Sequence, residues 1–388
     1  MTDGMLESKL PSTGTSIFSV MSDLAQDCKA INLSQGFPSF NPDQELLDLV
    51  DKHIKNGANQ YAPMPGVSPL LDAIAQKVQN LYGRSVEMHN EITVCNGATE
   101  GIFSTIQAMV RADDEVIVFD PAYDSYEPCI DLAGGKTIHI PLITSPENRD
   151  FHIDWERFKR AINKRTRLVI FNFPHNPTGA ILSENDLSIL AEIIRGTNIY
   201  LMSDEVYEHI VFDGNVHESL LKHDELWERA FVISSFGKTY HTTGWKVGYC
   251  VAPKLLTTEF RKIHQWVCYS VVTPIQHAIA DYMILNPNHY SELPKFYERK
   301  RNYFCDLMAK SRFRYTPAQG TFFQILDYSE ITNENDLSYA KQLTQDVGVA
   351  SIPVSGFCKE AFDYQLLRFC FAKDDITLEE AAARLCQL

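Results

Sequence analysis

Nine cysteines are scattered singly through 388 residues, and no two of them stand in a Cys-x-x-Cys spacing. That excludes the common zinc motifs and a disulfide framework, so no metal is expected, and it fits a reducing cytoplasm. Positive charge is also short: 35 Lys and Arg against 50 Asp and Glu leave a net charge of −15. Neither nucleic acid nor an anionic membrane is therefore an expected partner, since both require clustered cations. No apolar run reaches the ~18 residues of a membrane span, and residues 1–11 lack the basic start and apolar stretch of an export signal. No Gly-x-Gly-x-x-Gly follows any predicted strand, which leaves a nicotinamide or flavin reading without its fingerprint. Repeats and low-complexity tracts are missing as well.

What is present is the composition of an ordinary globular chain, 45% hydrophobic and 22% charged, long enough for one large domain and a smaller one. It is organised around Ser234-Ser235-Phe236-Gly237-Lys238-Thr239. The β-branched run 231–234 reads as a buried strand and 247–252 as a second, so Lys238 sits in a small-residue turn between core strands. A buried ammonium is costly and its pKa falls, which makes it a usable nucleophile; a surface lysine on a hairpin is the alternative. A P-loop is excluded, because the glycine required five residues before Gly237 is Val232.

From Ile92 onward, strands and helices alternate: strands 92–95, 116–119, 137–140, 168–173 and 199–203, then the pair around Lys238, with helices 99–110, 123–133, 155–163 and 184–195 between them. The pattern predicts an α/β doubly wound, mostly parallel sheet of about seven strands, with ligands at the carboxyl ends of the strands. After Pro274 a long helical region runs through 283 and then from 290 to 310, followed by an α+β pattern: strand 321–326, helix 337–346, strands 349–352 and 366–371, helix 378–388. The expected division is 1–45 as an arm and segment joining the small domain, 46–284 as the large domain and 285–388 as the small one. Within the first of these, 1–16 reads as an extended arm and 17–28 as a helix.

The strand ends carry polar groups. Asn96-Gly97-Ala98-Thr99-Glu100 opens a helix and offers free N–H groups to an anion, or is an ordinary cap. Ser203-Asp204-Glu205-Val206-Tyr207 places an aspartate and a tyrosine in the same crevice, although aspartate at a strand end is often a cap. Pro174-His175-Asn176-Pro177-Thr178-Gly179 is a loop whose Asn, Pro and Gly can equally serve backbone geometry. Arg368 lies within the apolar run Leu366-Leu367-Arg368-Phe369-Cys370-Phe371, where only an anion or an internal ion pair justifies it.

Taken together with Gln35-Gly36-Phe37-Pro38 and Asn59-Gln60-Tyr61, this set resembles, in order and over essentially the whole chain, the class I pyridoxal-phosphate aminotransferases of the aspartate-aminotransferase fold. Gly237-Lys238-Thr239 and Thr243-Gly244-Trp245-Lys246-Val247-Gly248 make it most similar to the methionine and kynurenine (glutamine-phenylpyruvate) transaminase group. The resemblance implies that Lys238 forms the Schiff base with pyridoxal 5'-phosphate and later moves the proton. Asp204 would partner the pyridine nitrogen, and Asn176 and Tyr207 the phenolic oxygen. Ala98, Thr99, Ser235 and Lys246 would hold the phosphate, with Tyr61 reaching in from the other subunit of a homodimer. Lysine at 246 departs from the arginine of the aspartate enzymes. Tyr123 would stack on the ring, and Arg368, aided by the Gly36 backbone, would grip the substrate carboxylate.

Ile17, Phe18, Phe37 and Tyr123 are expected near the substrate side chain, which favours a neutral amino acid such as methionine or an aromatic one, with a 2-oxo acid as acceptor. A cysteine-conjugate β-lyase shares these residues. A non-catalytic regulatory protein on the same scaffold would be expected to lose Lys238, Asp204 or Arg368, all of which are present.

Overall fold

The computed structural model describes residues 7–144, 150–359 and 364–388. The first six residues of the expected arm lie outside this set.

Seven strands form the main sheet, in the spatial order Ile92–Cys95, Gly248–Val251, Ala230–Ser235, Tyr200–Asp204, Thr166–Asn172, Glu115–Asp120, Lys136–Pro141. The last five are mutually parallel. Gly248–Val251 runs antiparallel to both of its neighbours. Ile92–Cys95 and Glu115–Asp120 are buried at every position, as expected where helices cover both faces of a parallel sheet and strands become continuous apolar runs. The covering helices start on identifiable caps. Ser183 and Asp186 form a reciprocal capping box before Glu184–Ile194, and Ser16 accepts the N–H of Phe18 ahead of Ile17–Asp27.

A three-stranded antiparallel sheet, Phe323–Asp327, Leu366–Cys370, Ile352–Pro353, has its own core. Phe304, Phe313, Phe322, Phe369 and Leu378 fill it, and Met21 and Leu33 join from the N-terminal segment. That segment is tied in by Ile31–Asn32, which pairs in parallel with Val349–Ala350.

The structure revises several expected elements. The helix expected over 123–133 begins at Tyr126, which leaves Tyr123 in the loop ahead of it. The two helical stretches expected after Pro274 shift by one or two residues at their ends, to Thr273–Leu285 and His289–Met308. The expected strand 349–352 is split between two sheets. A helix over Lys254–Val267 was not foreseen, although its apolar residues keep a helical period; its buried positions are Leu256, Thr257, Phe260 and His264. Among the described residues no helix is long and apolar enough to cross a membrane.

Candidate active site

The carboxyl ends of the main strands open onto a cavity of about 370 Å³ that reaches the three-stranded sheet. Phe18, Gly36, Ala98, Thr99, Tyr123, Asn176, Asp204, Tyr207, Ser235, Lys238, Lys246 and Arg368 all line it. Of the residues expected to hold the cofactor, Tyr61 is the exception. Its side chain is 84% exposed and meets Tyr269 edge-on, away from this chain's own cavity.

Lys238 rides on the short helix Phe236–Thr239, which continues strand Ala230–Ser235. Its Nζ donates to the Gly36 carbonyl at 3.0 Å and lies 5.5 Å from the Tyr207 ring centre. Loss of hydration brings the amine down to about 8, so a neutral, nucleophilic form is accessible near physiological pH.

Asp204, the last residue of its strand, is 4% exposed. Burial pushes its carboxyl up to about 6, opposed by the Tyr126 hydroxyl and the Val206 N–H. Asn172 braces this corner. Its Nδ2 donates to the Asp204 carbonyl at 3.1 Å, and its Oδ1 accepts the Asn176 N–H at 3.1 Å. Adjacent strand ends are thereby locked in register with the loop that carries Asn176.

Ala98 and Thr99 lie in the first turn of the 13-residue helix Gly97–Met109, where unpaired N–H groups and the helix dipole favour an anion. Lys246 Nζ stands 3.5 Å from Thr99 Oγ1. Two glycines keep this corner open. Gly97 has φ +72°, and a Cβ there would stand 3.1 Å from Lys246 Nζ. A Cβ on Gly248 would stand 2.6 Å from the Ser234 carbonyl and 2.9 Å from the Ala98 nitrogen.

Arg368 is fully buried. Nη1 donates to Asn176 Oδ1 at 2.8 Å and Nη2 to the Ser34 carbonyl at 2.6 Å, while Nε has no partner. The guanidinium lies 3.9 Å from the Phe323 ring centre and about as far from Phe18 as from Phe357, at 5.1 and 5.3 Å. Buried without a carboxylate partner among the described residues, it is a cation with donors to spare, and desolvation lowers even its pKa to about 10. Among the described residues, the internal ion pair left open by the sequence is not what holds it.

Two of the four expected side-chain neighbours do not reach the cavity. Phe37 turns outward, 45% exposed, with its ring 4.5 Å from Lys373 Nζ. Ile17 faces Gly356. Phe18 and Tyr123 do form wall, with ring centres 6.3 Å apart.

Gln35, Asn172, Val206, Thr243 and Phe323 line the cavity too, and Tyr126 supports it from behind; none was singled out from sequence. Cys95, Glu100 and His264 gather their ligand atoms within 4.8 Å of one another. Glu100 already accepts from Ser104 at 2.6 Å and meets His264 Nδ1 at 3.0 Å, so the cluster satisfies itself.

Comparison with known proteins identifies the chain's relatives. The model of the aminotransferase class I and II family matches residues 29–385. Methionine aminotransferase of Escherichia coli (strain K12) is 49% identical over 382 residues, covering 98% of each chain. Kynurenine–oxoglutarate transaminase of Dictyostelium discoideum is 34% identical over 415 residues, covering 97% of this chain and 95% of its own. A solved Escherichia coli structure described as having a methionine aminotransferase function superposes with a TM-score of 0.95 at 48% identity, covering 99% of this chain and all of the other. Because the match spans the lysine turn, the aspartate strand end and the arginine strand alike, the chain belongs to the class I and II aminotransferases, a family of pyridoxal-phosphate-dependent transaminases.

Proposed function

We propose that the chain binds pyridoxal 5'-phosphate in the cavity around Lys238 and transfers the amino group of a neutral L-amino acid, methionine or an aromatic one, to a 2-oxo acid in a ping-pong cycle. The observation that carries this reading is the placement of a pKa-lowered Lys238 amine and the spare donors of Arg368 in one cavity. The glycine-cleared corner at Gly97 and Gly248 fits a phosphate beside the Ala98 and Thr99 N–H groups, Ser235 and Lys246.

When bound, the cofactor supplies an aldehyde that takes up the amino group and a ring that accepts the electrons of the Cα–H bond. The remaining work belongs to the protein. Lys238 is the nucleophile that attaches the cofactor and the base that takes the proton from substrate Cα, both of which require a neutral amine. Asp204 would hold the proton on the ring nitrogen. Asn176 and Tyr207 would donate to the phenolic oxygen, and Tyr123 would cover the ring. Arg368 grips the α-carboxylate through paired hydrogen bonds, beside the Gly36 backbone. Phe18 and Tyr123 offer an apolar wall against which a second carboxylate would be desolvated at a cost of several kcal/mol.

Two further elements belong to the proposal. One is a homodimer in which Tyr61 serves the partner's phosphate site; Tyr61, Leu255 and Trp266, each more than four-fifths exposed, support an interface on that face. The other is the division into 46–284 and 285–388, with 1–45 joining the latter, supported by the separate core of the three-stranded sheet.

The test is borohydride reduction of the yellow protein, followed by mass mapping and a panel of amino donors. The expected result is a cofactor adduct on Lys238, lost in Lys238→Ala, and amino transfer that depends on added 2-oxo acid. An adduct on another lysine overturns the site. Pyruvate release from cysteine conjugates without a 2-oxo acid would make the chain a β-lyase.

A further inference from the structure

The loop between Leu33 and Ser39 is pinned at both ends to the strand that carries Arg368 and its continuation. Cys370 N–H donates to the Leu33 carbonyl at 2.8 Å, and Ser39 N–H to the Ala372 carbonyl at 3.0 Å. Between these anchors the chain bulges into the cavity, and four successive carbonyls each meet a cation. Ser34 O accepts from Arg368 Nη2 at 2.6 Å. Gln35 O accepts from Lys373 Nζ at 3.4 Å. Gly36 O accepts from Lys238 Nζ at 3.0 Å, and Phe37 O from Lys373 Nζ at 2.8 Å.

Two of these three cations line the cavity and are the groups assigned to the chemistry. Lys373 is different. It is 4% exposed, outside the cavity wall, and its charge is met by two carbonyls and the face of the Phe37 ring at 4.5 Å. Burying an ammonium is expensive unless its donors are satisfied, so a lysine here is well explained by the loop it holds. Its own backbone is fixed as well, with its carbonyl accepting from Lys300 Nζ at 2.8 Å. Arg368 and Lys238 exchange partners during turnover on the reading above, whereas Lys373 has no other partner among the described residues.

We propose that Lys373 is a positioning residue: it clamps the carbonyls on either side of Gly36, and so holds Gly36 and Ser34 where they orient Lys238 and Arg368 for the substrate carboxylate. This inference rests on the aminotransferase reading of the cavity. Its main effect falls on substrate binding, because Ser34 O fixes the guanidinium and the cofactor corner at Thr99 and Lys246 lies elsewhere in the cavity.

The experiment compares Lys373→Met and Lys373→Arg with wild type as holoenzymes. Lys373→Met is expected to keep the cofactor absorbance and the borohydride adduct on Lys238. It should raise KM for amino acid and 2-oxo acid by about fivefold or more while changing kcat less than about threefold, the pattern of lost binding without lost chemistry. Lys373→Arg, which retains the charge, should recover most of the loss. Hydrogen exchange of cofactor-free Lys373→Met should quicken in the peptide covering residues 34–38 and not in the main sheet.

Unchanged KM with unchanged exchange overturns the proposal. So does an equal fall in kcat with exchange quickened throughout, which is the mark of a general packing role. If Lys373→Met does not fold, Lys373→Gln takes its place in both measurements, and failure of every variant to fold likewise overturns it. Lack of a wild-type adduct on Lys238 would sink the cofactor reading instead, while the exchange measurement still tests the clamp.

Discussion

The Tyr126 hydroxyl donates to Asp204 Oδ2 at 2.6 Å, and both groups are buried. This bond favours the ionised carboxylate against burial, which by itself drives the carboxyl upward. Removing it with Tyr126→Phe should raise the Asp204 pKa beyond about 6. A hydrogen bond to a charged group contributes about 1.5–3 kcal/mol, so pyridoxal-phosphate affinity should fall by roughly tenfold or more. Titration should find the deficit larger at pH 6.5 than at pH 8.5, where the carboxyl is ionised in either protein.

Cofactor capture by the cofactor-free protein should rise with pH through about 8, because burial has brought the Lys238 amine down to that value. An ordinary exposed lysine would instead respond near 10.5. Borohydride trapping at timed intervals, followed by mass measurement, reads this directly. The stability consequence has the same direction. Between pH 8 and 10.5 the unfolded chain holds the proton that the folded one has released, so the contribution of this group to stability grows as pH rises across that window.

Gly248→Ala should damage the phosphate corner. Its new Cβ would stand 2.6 Å from one backbone atom and 2.9 Å from another, and neither can swing aside. Overpacking of this kind costs about 1–3 kcal/mol. Lower thermal stability is expected together with cofactor affinity weakened by about tenfold, checked by a melting curve with and without added pyridoxal phosphate.

Methionine should exceed aspartate in kcat/KM by at least about a hundredfold with the same 2-oxo acid, close to 2.7 kcal/mol in transition-state stabilisation. The spare cationic donors near the substrate belong to Arg368, and the wall beside it is Phe18 and Tyr123. Equal turnover of the two substrates would mean that another cation enters the pocket.

Mixing an inactive Lys238→Ala protein with an inactive Tyr61 variant should restore part of the activity through hybrid dimers, because one of the two sites would then be intact. A fully active monomer by sedimentation contradicts the shared site.

Much of the site was legible because its side chains announce themselves by being out of place. Lys238 between two core strands and Arg368 inside an apolar run each violate a packing rule, and such violations mark functional groups. Residues that obey the rules stayed hidden. Tyr126 reads as an ordinary buried aromatic, and only the fold brings its hydroxyl to Asp204. Phe37 misled because a side chain's direction in a loop has no period to read: the turn at Gly36 sends the ring out over Lys373 rather than into the cavity. The row of carbonyls held by Ser34, Gln35, Gly36 and Phe37 was invisible for the same reason, since backbone groups carry no signature in the sequence.

The order of strands across the main sheet has a consequence for synthesis. Strand Ile92–Cys95, an edge of the sheet, has Gly248–Val251 as its one strand neighbour there. The ribosome makes the former long before the latter. At about 5–20 residues per second, the wait is roughly 10–30 s. For most of that interval the helix N-terminus at Ala98 and Thr99 follows a strand with no partner, and neither Lys238 nor Lys246 has yet been made. A nascent chain that has not reached residue 238 therefore has no complete cofactor site to offer.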